Sequence, residues 1–225
     1  MANGDTATAN KQSNRIPVPV TAAQSKPSLA TNCKPGMRFP SYQVLAQSDA
    51  RPWHMHHKMP SDGRFRLVVF AGDILSPRRQ KLVNDLGAWL AANILSVYPT
   101  IKLSPAADPH NNNNISRFKT DRDLSVVDVL LIHTAERREV DLLRGLHETY
   151  HPFDSKLGWD YDKVLVDAES YHSGHGRAYE GYGVDPGVGA LVIVRPDGYV
   201  GLVTALEQEG WEEVGEYFQG VLRTV

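Results

Sequence analysis

Phe65-Arg66-Leu67-Val68-Val69-Phe70-Ala71 leads within a few residues to Ser76-Pro77, and this junction decides the fold. The run is β-branched, aromatic and nearly continuous, as expected of a strand buried on both faces. Ser76 is a good N-cap, and Pro77 takes the first helical position, where its missing N–H costs nothing. Leu82, Leu86, Trp89 and Leu90 then form one apolar stripe, and Pro99 marks the end of the helix.

Upstream, Ser61-Asp62-Gly63 reads as the turn into this strand, residues Trp53 to Met59 as an extended piece, and Pro40 to Leu45 as a short edge strand. Downstream, Ser104 to Ser116 is a polar insertion with no periodicity, and Val126 to His133 is a second core strand of parallel type. Glu136 to Tyr150 reads as a helix with Val140, Leu143 and Leu146 on one face, stopped by Pro152. Lys163 to Val166 is a short strand, and Gly174 to Tyr182 a short helix. Ala190 to Val194 and Tyr199 to Val203 flank Pro196-Asp197-Gly198 as a hairpin. A last helix from about Glu209 carries Trp211, Val214, Tyr217, Phe218, Val221 and Leu222 as a stripe. The order is β-α-β followed by β-β-α. This is an α/β, thioredoxin-like layout: a central mixed sheet with helices on both faces.

Residues 1–32 are small and polar, too poor in bulky apolar groups to offset their ordering entropy, and read as a disordered tail. The folded domain is expected over residues 33–225. A net charge of −2 argues against a nucleic-acid surface. No run approaches the roughly twenty apolar residues of a membrane span, and the N-terminus lacks a signal-peptide pattern. The expected compartment is therefore the cytoplasm.

In a thioredoxin-like fold the reactive thiol lies between the first core strand and its helix, whose N-terminus lowers the thiol pKa. That loop here is Ala71-Gly72-Asp73-Ile74-Leu75-Ser76-Pro77, without cysteine. The lone cysteine, Cys33, lies far from it in sequence and reads as a bystander. Dithiol exchange through this loop is excluded. Asp73 reads as a carboxylate suited to the helix dipole.

Lys34-Pro35-Gly36-Met37-Arg38-Phe39-Pro40 and Ser61 to Asp73 resemble the C-terminal domain of fungal FAD-dependent phenol 2-monooxygenases. So do Glu169-Ser170-Tyr171-His172-Ser173-Gly174-His175-Gly176 and Gly189 to Gly201, and the likeness covers about residues 34–225. The resemblance implies a thioredoxin-like dimerisation domain, with flavin and phenol bound in preceding domains. No Gly-x-Gly-x-x-Gly follows a strand near the start, so no flavin cofactor is expected on this chain. The implied function is a non-redox assembly or dimerisation module of flavin monooxygenase or aromatic secondary metabolism. Its implied partners are a second copy, a flavin monooxygenase or another biosynthetic enzyme, with a small aromatic molecule as a further ligand.

The alternative is an enzyme without a redox cofactor: an isomerase, cyclase, hydrolase or lyase acting on a phenolic or polyketide-type intermediate. His172, His175, Asp167 and Glu169 would supply its acid–base pair, because a carboxylate tunes a histidine that titrates near neutrality. The competing reading of these residues is a hydrogen-bonded network that fixes the loop before the hairpin. His54, His56 and His57 are a weak metal alternative. If extended, His54 and His56 share a face and His57 points away. Arg195 and Asp197 read as turn residues, and Tyr179, Tyr182 and Tyr199 as packing residues.

Overall fold

The computed structural model describes residues 25–102, 123–155 and 157–223. A seven-stranded sheet runs in the order Val200–Thr204, Ala190–Val194, Phe65–Gly72, Val127–His133, Val164–Val166, Gln43–Ala46, Pro52–His54. Phe65–Gly72 is parallel to Val127–His133, with Phe65 opposite Val127 and Phe70 opposite Ile132. It is antiparallel to Ala190–Val194, with Phe70 opposite Ala190. The β-α-β and β-β-α halves are thus joined as in thioredoxin-like proteins, and the mixed α/β fold class is the one expected.

Alternate residues of the central strands feed two cores. Leu67, Val69, Val129 and Leu131 pack under the Pro77–Leu90 and Gln208–Val221 helices, against Val83, Leu86, Val214 and Phe218. Val68, Phe70, Leu130 and Ile132 face the other way, against Tyr179, Tyr182, Phe39 and Cys33. Each fully buried large apolar side chain contributes about 1.5–3 kcal/mol. A strand with both faces covered therefore needs the unbroken apolar run that its sequence shows.

Several elements depart from expectation. Residues 25–32 belong to the folded unit rather than to a tail. Lys26 N–H donates to the Val203 carbonyl at 2.7 Å, Asn32 reaches the Gly181 carbonyl at 2.8 Å, and Ala30 is buried. Hydrogen bonds to Val203 of the outer sheet strand and to residues 181–183 supply here what apolar content lacks. Residues 1–24 lie outside the described residues, as does the Ser104 to Ser116 insertion. Gln43–Ala46 is an interior strand, because Pro52–His54 takes the sheet edge beside it.

The expected helix over residues 136–150 is broken into a 3-10 turn Arg137–Glu139, one α turn Leu142–Gly145 and a 3-10 turn Glu148–Tyr150. Side chains cause the breaks. Asp141 accepts from the Leu143 and Arg144 N–H groups, and the His147 ring accepts from the Thr149 N–H. Such local acceptors compete with a continuous helical ladder. Leu143 is left exposed. Likewise only Ala178–Tyr182 of the expected 174–182 helix is helical, since Gly174–His175 pairs with Glu169–Ser170 as a small ribbon.

Candidate functional site

The helix mouth is closed by backbone. Gly72 adopts φ +70°, and a Cβ there would lie 2.1 Å from the Pro186 carbonyl oxygen. Only glycine permits both the left-handed conformation and this approach. The Tyr179 hydroxyl accepts the Gly72 N–H at 2.7 Å and donates to the Ile132 carbonyl at 2.8 Å. Burial pushes the Tyr179 phenol well above its usual pKa, so it stays protonated. Arg79 crosses from the helix to the carbonyls of Val188, at 3.0 Å, and Gly187. Asp73 accepts from the Leu75 N–H at 3.0 Å and so makes a local turn.

Asp167 is the second organising group. Its two carboxylate oxygens accept the Ala178 and Tyr179 N–H groups at 2.9 and 2.8 Å, which caps the Ala178–Tyr182 helix. His175 Nδ1 accepts the Arg177 N–H at 2.9 Å and lies 3.5 Å from Asp167. The structure thus brings Asp167 and His175 together. Glu169 pairs with His175 through the backbone across the ribbon, and is exposed. His172 is exposed, its ring edge-on to that of Tyr171, which is 95% accessible. Glu169, His172 and His175 stand exposed on the surface, while the Asp167 carboxylate is buried beneath the loop that it caps.

The three histidines at 54–57 do not converge on one point. Residues 52–54 are a strand, but Met55–Lys58 turns into a 3-10 helix because the Met55 side chain is fully buried. His56 Nε2 lies 2.7 Å from the Phe39 carbonyl and donates to it, while the rings of His54 and His57 are 6.2 Å apart. Among the described residues no group of three or more His, Cys, Asp or Glu side chains is placed to hold a metal ion. Cys33 is fully buried in one cluster with Ala30, Phe39 and Tyr182, and burial pushes its thiol up to about 12. Tyr179 and Tyr182 are packing residues, whereas Tyr199 is 40% exposed.

Two features escape sequence reasoning. Arg64, Arg66 and Lys163 gather around Asp62 and Asp128: Arg66 reaches Asp62 at 2.8 Å and Asp128 at 3.1 Å, Arg64 reaches Asp62 at 2.7 Å, and Lys163 pairs with Asp128. The neighbouring arginines hold the Asp62 carboxyl below its usual range against the opposing effect of burial. The signal was a charged residue inside each buried strand, Arg66 and Asp128. The second feature is an aromatic hairpin, Phe153–Asp154 with Gly158–Trp159. The Phe153 and Trp159 rings stack edge-on at 4.9 Å, and Phe153 and Leu157 are 60% and 54% exposed. Four large apolar residues within 153–161, behind Pro152, were its signal.

The family model for the phenol hydroxylase C-terminal dimerisation domain matches residues 6–225. The chain is 36% identical over 193 residues to phenol 2-monooxygenase fsqG of Aspergillus fumigatus, covering 86% of this chain and 28% of that protein. It is 34% identical over 203 residues to the FAD-dependent monooxygenase terD of Aspergillus terreus, covering 90% and 30%. The chain therefore spans under a third of the length of these relatives. It is also similar to a candidate protein disulfide isomerase of Bacteroides thetaiotaomicron, with a TM-score of 0.46 and 12% identity, covering 84% and 91%.

Proposed function

The chain belongs to the phenol hydroxylase C-terminal dimerisation domain family, and from that membership we propose that it is a non-redox assembly module that pairs with a second copy of itself beside a flavin monooxygenase. The observation that carries this reading is the exposed hairpin of Phe153, Leu157 and Trp159. Contiguous exposed aromatic surface is costly in water and is enriched at protein interfaces. Tyr161, two residues on, is 42% exposed and extends the apolar character of this segment. A two-fold dimer places the same patch against itself, so one hairpin serves both subunits. The cysteine-free helix mouth supports a role without thiol chemistry.

Sedimentation velocity over a range of concentrations tests the reading. The chain is expected to sediment as a reversible dimer. Phe153→Ala with Trp159→Ala should weaken the dimer by about tenfold or more while leaving circular dichroism unchanged. A chain that stays monomeric at every concentration, and that an immobilised flavin monooxygenase relative does not retain, overturns it.

A further inference from the structure

At the far end of the sheet from the helix mouth, a cleft of about 240 Å³ opens between the 195–198 turn and the segment leading to Phe65. Arg38, Arg64, Arg66 and Arg195 all line it. Three carboxylates answer these four guanidiniums. Asp62 takes Arg64 at 2.7 Å and Arg66 at 2.8 Å, Asp128 takes Arg66 at 3.1 Å and Arg64 at 3.4 Å, and Asp197 is committed to Arg195. Lys163 adds a further cation on Asp128, with Asp160 3.8 Å from it. Arg38 is the guanidinium left over. It is exposed, and among the described residues it has no ion pair or side-chain hydrogen bond. Of the remaining walls, Met59, Pro60 and Pro196 form an apolar side, and His56 and Ser61 add polar groups.

A cleft with one uncompensated guanidinium and an apolar wall has the chemistry of an organic-acid site. A bidentate arginine fork matches a carboxylate in geometry and charge. The apolar wall has no use for a bare inorganic anion, but it shelters a ring or short hydrocarbon body. The volume falls below the roughly 300–1,000 Å³ filled by drug-sized ligands, which restricts the occupant to about one ring. We propose that this cleft binds a small monocarboxylic acid, its carboxylate on Arg38 and its body against Met59, Pro60 and Pro196.

Isothermal titration of the full chain with benzoate tests this, with benzyl alcohol and inorganic phosphate as comparators. Saturable benzoate binding is expected, with no saturable binding of benzyl alcohol. Arg38→Gln, on an exposed side chain, should weaken benzoate by about tenfold. Amide chemical shifts should move at Phe39, Met59 and Gly198. Three outcomes overturn the proposal: no saturable benzoate binding, binding that Arg38→Gln leaves unchanged, or phosphate binding as tight as benzoate.

Discussion

The Tyr179 hydroxyl holds the Gly72 amide at 2.7 Å, at the point where a thioredoxin-like protein would carry its reactive loop. The same hydroxyl donates to the Ile132 carbonyl on the adjacent strand, so one buried phenol ties both parallel strand ends to the Ala178–Tyr182 helix. Tyr179→Phe keeps the ring against Phe70 but removes the hydroxyl that the buried Gly72 N–H and Ile132 carbonyl share. Unfolding by urea should show a loss of about 2–3 kcal/mol. A loss within about 0.5 kcal/mol of wild type would mean that water replaces the hydroxyl.

Which parts of this arrangement are legible from sequence follows from the range of the forces involved. The central strands and the Pro77–Leu90 and Gln208–Val221 helices announce themselves because burial on a fixed face imposes a period. The closed helix mouth does not. It depends on Pro186 meeting Gly72 across more than a hundred residues, and no local pattern encodes that approach. The turns between residues 137 and 150 escape a sequence pattern for the opposite reason. Val140, Leu143 and Leu146 keep helical spacing, but the short-range acceptors Asp141 and His147 override it. The seating of residues 25–32 is invisible to composition, which measures side-chain burial and is blind to a backbone that bonds to a sheet edge.

His133 gives the fold a pH dependence. It is fully buried, Nε2 lies 3.1 Å from the Gln47 side-chain oxygen, and burial lowers its pKa from 6.5 to about 3, opposed in part by the Ala135 backbone. Above pH 6.5 the ring is neutral in both folded and unfolded chains and contributes no pH dependence. Between about 6.5 and 3 the unfolded chain takes up a proton that the folded chain refuses, so stability falls as pH falls. The slope from this one group approaches about 1.4 kcal/mol per pH unit. Wild type and His133→Gln should therefore differ less in stability at pH 5 than at pH 7, by urea denaturation at each pH. Parallel losses in both proteins would assign the acid sensitivity to other groups.

Cys33 reports on residues 25–32, whose Ala30 packs in the same core cluster. With its thiol pushed up to about 12 and its side chain fully buried, native protein at neutral pH should resist a disulfide reagent until residues 25–32 lift. Lys26 anchors that segment to Glu209 at 2.6 Å and Glu213 at 2.9 Å. A partly exposed ion pair of this kind is worth up to about 1 kcal/mol, so Lys26→Ala should speed labelling by up to about fivefold. Immediate stoichiometric labelling of the native wild-type protein would contradict the seating of residues 25–32.

Asp167 and His172 separate a structural loop from an acid–base site. Asp167 has both oxygens committed to helix amides, so Asp167→Ala should cost about 1–2 kcal/mol through the lost cap. His172 is exposed and, among the described residues, its ring contact is with Tyr171, so His172→Ala should change stability by less than about 0.5 kcal/mol. Neither substitution touches the hairpin of Phe153 and Trp159, so the dimer dissociation constant should stay at its wild-type value in both. Thermal melts and sedimentation on the two variants read these effects independently. Asp167→Asn refines the test, because it keeps one acceptor oxygen and should recover part of the cap. If Asp167→Ala leaves stability intact while His172→Ala disrupts assembly, the loop is itself part of the interface and the hairpin assignment fails.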